Sequence, residues 1–480
     1  VILQKFDVNM NLAQSVMLVN GRVKGESFRG VELFGKQLVM FTEVDNKKAF
    51  TRSFYVQKID NATLLLTGTK VELSSATYEK PKGLLGKRMA RYGSSFSVSF
   101  SKGEKYMLLM SRVPDREGQD QKIKFTVLDA KLSTKWSKKV TLPYDSELFV
   151  TTSIKVDDRA NVYVGGLVYK EKLTTGSMFK RRKRVEGQSY KHHVIGYYES
   201  GKRVKDFEIA ITDKYITDLG YKIADNGDLI CTGFYSENDG NSIKGAYYLR
   251  MNGKTKKVEK KSYKEFGEDF ITQTWSDRQK AKAKKKEQKK GRAIEMYEYD
   301  LRDLILRDDG GALLIAEQYY VRITTTTHTN SNGGTYTTTT YHYYYNDILV
   351  VNINPSGDID WVKKIPKRHY STNNGGYYSS FITGVAGGKI YFVFNDNVKN
   401  LNPDLAEDKN VVYTFRKNKD GICAIVTMDS KGKFEKEALF STKEENIIAV
   451  PKLSDQTGKN EMVIFCKRKK SEQFAKLKLK

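Results

Sequence analysis

A strand–turn–strand unit recurs along nearly the whole chain, and few folds accommodate such a repeat. Each copy is a strand, a turn opened by a short polar residue, and a second strand. The turn residues are Asp7, Asp60, Asp129, Glu199, Asn252, Asn354 and Asp429. Trp136 and Trp361 each stand seven residues after their turn residue, which supports the alignment. Asp and Asn suit such turns because their side chains bond the backbone just ahead of them. A second unit alternates with the first: a strand, a Gly/Asp turn and a strongly apolar strand, as in GYKIADNGDLICTGF and DLILRDDGGALLIAE. There are seven copies of each in strict alternation. Two hairpins per set predict a four-stranded antiparallel sheet. The chain therefore reads as all-β, a single seven-bladed β-propeller over residues 1–480. Asn446–Lys480 lacks a final hairpin, and Val1–Leu18 is a hairpin without preceding strands. Residues 446–480 plus 1–18 are expected to form one composite closing blade, which would remove two free sheet edges.

Composition agrees with this reading. Hydrophobic content of 39% with 12% aromatic residues is enough for a core. The longest apolar runs, such as Leu313–Ala316, fall far short of the about 20 residues that a membrane-spanning helix needs. The sequence starts at Val1 with no basic or apolar leader, which suits the mature form of an exported chain. Cys231, Cys423 and Cys466 each sit in an apolar strand and are expected to be small buried hydrophobes. Their wide spacing argues against a disulfide framework or a zinc site, although one disulfide stays open. Net charge is +26, which favours an anionic partner.

Long segments interrupt only the links from second to third strand and from fourth strand to the next sheet. They are Glu79–Arg91, Lys170–Lys191, Glu265–Glu298, Thr324–Tyr345 and Asp396–Lys409. In a propeller both link types emerge on one face, and binding residues favour loops on a rigid scaffold. Most of the positive charge is there as well. The candidate anion or partner contacts are Arg88, Arg91, Lys180, Arg181, Arg182, Lys183, Arg184, Lys284, Lys285 and Lys286. Residues 277–296 read as a short Lys-rich helical insertion, opened by a capping box of Ser276 and Gln279. It lacks an apolar stripe and reads as a solvated arm. Residues 324–345 are nearly symmetrical about Asn332-Gly333-Gly334 and read as a projecting hairpin that offers strand edges to a partner. Its docking residues are expected to be Asn332, Gly333, Tyr336 and Tyr343, with His328 facing His342 across the strands.

The five histidines show no triad or metal spacing, and no phosphate-cradling loop occurs. Gly165-Gly166 reads as a packing site within a strand. The chain is thus expected not to be an enzyme and to carry no cofactor and no metal. Two stretches, Asp300–Val321 and Tyr344–Phe381, resemble a broad group of uncharacterised, signal-peptide-bearing propeller-like proteins of Bacteroidota. The Lys-rich segment just before Asp300 also fits that group. The resemblance implies export to the cell envelope and transfers no catalytic residues. The expected function is a binding or scaffold protein of the periplasm or outer membrane, docking onto a protein complex through the insertion-bearing face. Anionic lipid or glycolipid is a further expected partner. Nucleic acid is not expected, because the basic run 180–184 has no aromatic interleaving. Two other readings are a binder of an anionic glycan or glycolipid and a channel-facing hydrolase or lyase.

Overall fold

Polar turn residues set the strand ends. The Asp7 carboxylate accepts the N–H groups of Asn9 (2.9 Å) and Asn11 (2.8 Å). Asp129 does the same with Lys131 (2.9 Å) and Ser133 (3.0 Å), and Asp429 with Lys431 and Lys433 (both 2.9 Å). Asp157, in a turn of the second type, accepts from Arg159 (2.9 Å) and Asn161 (2.8 Å). The same side-chain cap therefore closes turns of both repeating units.

The computed structural model describes residues 1–19, 25–78, 96–113, 120–145, 148–171, 189–238, 242–273, 275–291, 293–401, 411, 413–414 and 420–480. The chain forms two compact units, Val1–Ala210 and Ile211–Lys480. The first holds a two-stranded ladder (Ile2–Phe6, Leu12–Met17) and three four-stranded sheets. These sheets run from Glu26 to Thr77, Phe96 to Asp145, and Phe149 to Ile209. The second unit opens with a four-stranded sheet from Tyr215 to Glu265. Next comes a five-stranded sheet: β1 (Tyr299–Leu306), β2 (Ala312–Thr329), β3 (Thr335–Ile353), β4 (Ile359–Ile365) and β5 (His369–Thr372). A four-stranded sheet from Ile382 to Ser441, a three-stranded sheet (Asp455–Gly458, Glu461–Arg468, Ser471–Lys478) and a two-stranded ladder (Ser242–Ile243, Met296–Tyr297) complete it among the described residues. Strands pair antiparallel throughout and, β5 apart, follow chain order within these sheets. The sequence expectation of successive four-stranded antiparallel sheets is met. The carboxy-terminal sheet has a second turn at Lys469–Lys470 and so a third strand, which the sequence reading lacks.

The repeat is also visible in a defect. In four of the four- and five-stranded sheets the first strand slips register against the second, between Phe28 and Gly30, Thr151 and Ser153, Ile216 and Asp218, and Leu301 and Asp303. Such bulges bend a strand and raise its twist. Middle strands are buried on both faces, as Leu229–Ser236 is throughout, which is why LICTGF reads as one apolar run. Fourth strands such as Val258–Glu265 alternate between exposed and half-buried positions. Within each unit, neighbouring sheets pack face to face through separate apolar clusters.

Both indoles bridge sheets. Trp136 Nε1–H donates to the Ala160 carbonyl and Trp361 Nε1–H to that of Ser430 (both 2.9 Å), each in a turn of the following sheet. No disulfide joins the buried Cys231, Cys423 and Cys466, which removes the one left open above. A Cβ on Gly166 would lie 2.1 Å from the Phe149 ring, so this glycine does serve close packing.

The helical insertion has two helices, α1 (Glu268–Thr272) and α2 (Asp277–Lys290). The capping box of Ser276 and Gln279 is formed, and Gly291 ends α2 in the left-handed region. The insertion is not the solvated arm expected from the sequence. Trp275 and Ala283 pack on the cluster between the Tyr215–Glu265 and five-stranded sheets, so a single alanine and a flanking indole replace the missing apolar stripe.

Trp136→Phe removes one buried hydrogen bond and part of a ring. Its unfolding free energy should fall by about 1–3 kcal/mol, read from the shift of a denaturant midpoint.

Candidate docking site

Strands β2 and β3 continue beyond their sheet as a hairpin. Ala312–Glu317 is buried, a register shift falls between Glu317 and Tyr319, and Val321–Thr327 is exposed. The tip turn is closed by Asn330, whose Oδ1 accepts from Gly334 N (2.7 Å), with Gly333 at φ 75°. Asn332, Gly333 and Tyr336, expected from the sequence as docking residues, are exposed there. Tyr343 differs, since its backbone pairs with Val321 on one side and Ser371 on the other. His328 and His342 do not face each other either. His328 stacks on its register partner Tyr336 (4.9 Å), and His342 hydrogen-bonds Thr324 and Tyr370 (both 2.8 Å). The true turn begins at Asn330, which sets the register that separates them.

Stacked rings stiffen the hairpin root. Tyr319 meets Tyr345 and Tyr320 meets Tyr344 at 4.5 Å, and Tyr370 adds to Tyr344 at 5.1 Å. Cations cover both sides of the stack. The Arg322 guanidinium lies 5.1 Å from the Tyr320 centroid, Arg302 lies 5.2 Å from Tyr319, and Lys452 lies 4.4 Å from Tyr345.

Below the rings lies a set of buried charges that sequence reasoning missed. Glu317 is fully buried and accepts from Lys367 Nζ (2.7 Å), Arg302 Nε (3.0 Å) and Nη2 (2.9 Å), and Ser380 Oγ (2.8 Å). Buried Asp347 pairs with Arg368, and buried Asp396 with Lys436 (2.9 Å) and Asn400 (2.6 Å). His369 Nε2 bonds the Asn395 carbonyl (2.6 Å), and burial holds its ring well below the usual histidine range. Lys364 Nζ donates to the Phe270 (2.8 Å) and Ile271 (3.4 Å) carbonyls at the end of α1, which tethers the helical insertion to β4. Burial brings this ammonium down to about 8, against the pull of Asp347. Glu317 and Asp396 each end an apolar run and Asp347 begins one (LLIAE, FVFND, DILVV), a signal present in the sequence. The saturated Glu317 carboxylate suits anchoring rather than acid–base work.

The other predicted contacts divide. Lys284, Lys285 and Lys286 are exposed on α2, where Lys284 pairs with Glu268 at 3.5 Å. Arg88, Arg91 and Lys180–Arg184 lie outside the described residues. The amino-terminal unit also holds a cluster that the spacing of its members hid. Tyr144 Oη contacts both Asp206 and His193 Nδ1 (2.9 Å), and His193 Nδ1 lies 3.0 Å from Asp206. Burial works to raise Asp206, yet hydrogen bonds from His193 and Tyr144 hold it below the usual carboxylate range.

The sequence matches no protein-family model and no curated protein. Similar solved structures include prolyl oligopeptidase B from Galerina marginata, at 6% identity and a TM-score of 0.35 over 92% of this chain and 46% of that one. The Synechocystis apocarotenoid oxygenase is similar at 9% identity and 0.31, over 94% of this chain and 71% of that one. A member of the DUF4221 family from Bacteroides vulgatus is similar at 11% and 0.27, over 83% and 90%. The chain spans about half the length of the prolyl oligopeptidase. The sequence expectation of a non-enzyme is withdrawn, since the similar structures include a peptidase and an oxygenase.

Two outcomes follow from the buried charges. Lys367→Met should cost about 3–5 kcal/mol of stability, while Glu317→Leu/Lys367→Met should cost less than the sum of the single changes, as a double-mutant cycle would record. For Lys364, the unfolded chain holds its proton up to the ordinary lysine value of 10.5, whereas the folded chain releases it near 8. The unfolded state binds more protons in that window, so stability there rises with pH. Denaturation between pH 8 and 10.5 should show the stability of the wild type rising relative to that of Lys364→Met.

Proposed function

We propose that this chain is an exported binding protein of the bacterial cell envelope that docks a protein partner by strand addition along β2. Its sheets are the blades of a seven-bladed propeller, with the terminal segments completing one blade. The alternating turns, the repeated bulge and the face-to-face packing within each unit support that architecture. Envelope placement rests on the resemblance of Asp300–Val321 and Tyr344–Phe381 to exported proteins. Among the described residues no helix is long and apolar enough to cross a membrane.

One observation carries the docking reading. From Ile323 to Asn346 there is no Lys, Arg, Asp, Glu or Pro, although 29% of the chain is charged. Exposed strand edges are normally guarded by charges, prolines or bulges. Beyond Tyr319 the outer edge of β2 is unpaired among the described residues, while β5 covers part of the corresponding edge of β3. Ile323 is 60% exposed and Tyr336 57%. An incoming strand meets backbone donors and acceptors already held straight by the ring stack, which lowers the ordering cost of binding. An extended segment with little charge fits this edge.

Ile323→Lys/Thr325→Lys/Thr327→Lys guards the edge without touching the root. Affinity purification from gently solubilised native envelope should recover a partner with wild type and lose at least about 90% of it with the variant, given that each edge charge opposes pairing. Recovery of the chain alone, or equal recovery by both proteins, overturns the reading.

A further inference from the structure

Helix α2 presents two unlike faces. At 3.6 residues per turn, Lys280, Ala283 and Glu287 share one side, and these positions are half-buried against the unit. Arg278, Lys282, Lys285 and Lys289 fall together on the opposite side, and all four are exposed. They form a straight row of cations about 16 Å long at 1.5 Å of rise per residue. No ion pair with a described residue engages any of the four, and the acidic Glu287 is turned to the packed side. Cations three and four apart repel, so the row weakens the helix that carries it. The capping box and Gly291 hold the helix nonetheless.

We propose that this row is a contact for a membrane surface rich in anionic lipid. The proposal is independent of the docking hairpin. Three of the four cations are lysines, compact point charges suited to a diffuse anionic surface, whereas discrete phosphates favour the forked guanidinium of arginine. No aromatic stands in the row to stack on bases. Trp275 and Ala283, the apolar groups of this segment, pack on the protein core, so α2 lies on the headgroups by charge alone and does not insert. The contact is therefore reversible and salt-sensitive.

The test is flotation of the full chain with phosphatidylcholine vesicles, with and without about one third phosphatidylglycerol. Wild type should float only with the anionic vesicles and be released by salt. Arg278→Gln/Lys282→Gln/Lys285→Gln/Lys289→Gln should weaken this binding on the order of 1,000-fold. Gln keeps helix propensity close to that of Lys. A control with the same charge change at exposed Lys443, Lys459, Lys469 and Lys470, each changed to Gln, should bind like wild type. Equal loss in both variants would mean that only net charge matters and overturns the proposal. So would absence of flotation, or row-dependent binding of RNA without binding of vesicles. The edge variant Ile323→Lys/Thr325→Lys/Thr327→Lys should float as wild type does, which separates this proposal from the docking reading.

Discussion

Glu317 has no contact with water, and burying a carboxylate costs several kcal/mol unless its charge is met. Lys367, Arg302 and Ser380 meet it from three different places: the link after β4, strand β1, and the entry to the next sheet. One side chain thus fixes the height at which β2 leaves its sheet and the path of the chain around that point. The Asp347–Arg368 and Asp396–Lys436 pairs extend the arrangement to β3 and to the neighbouring sheet. The ring stack and the straight hairpin above it depend on that fixed root.

Much of the fold was legible because its signals are local. An aspartate that caps its own turn appears in sequence as an aspartate between two apolar strands, and Asp7, Asp129 and Asp429 behave alike. The Ser276/Gln279 cap is equally local. The buried charges were not legible as a site, because Glu317 and Lys367 are remote in sequence and Lys367-Arg368 looks like surface. The Tyr144, His193 and Asp206 cluster was hidden for the same reason, and its members meet only through pairing and packing. The helix was read as free because a lone alanine leaves no periodic trace, though Ala283 is enough to choose its packed side.

The second unit places two opposite surface chemistries on its insertions. The row on α2 acts at a distance, over about 10 Å at moderate salt. The charge-free hairpin acts only on contact, through backbone groups and rings. On the proposed readings, such a division would let attraction gather the molecule onto a surface while specificity is decided elsewhere.

The missing charges of the hairpin also bear on proteolysis. Lys and Arg are frequent along this chain, yet none stands between Arg322 and Lys363. A protease that cuts after basic residues therefore finds no site in the projecting tip, and the turn with its flanking strands is released, if at all, as one uninterrupted peptide. This exposed segment is thereby shielded from one whole class of enzyme by composition, without burial or bridging. A protease that cuts after aromatic residues meets Tyr336 and Tyr341 at the surface and would report occupancy of the same element.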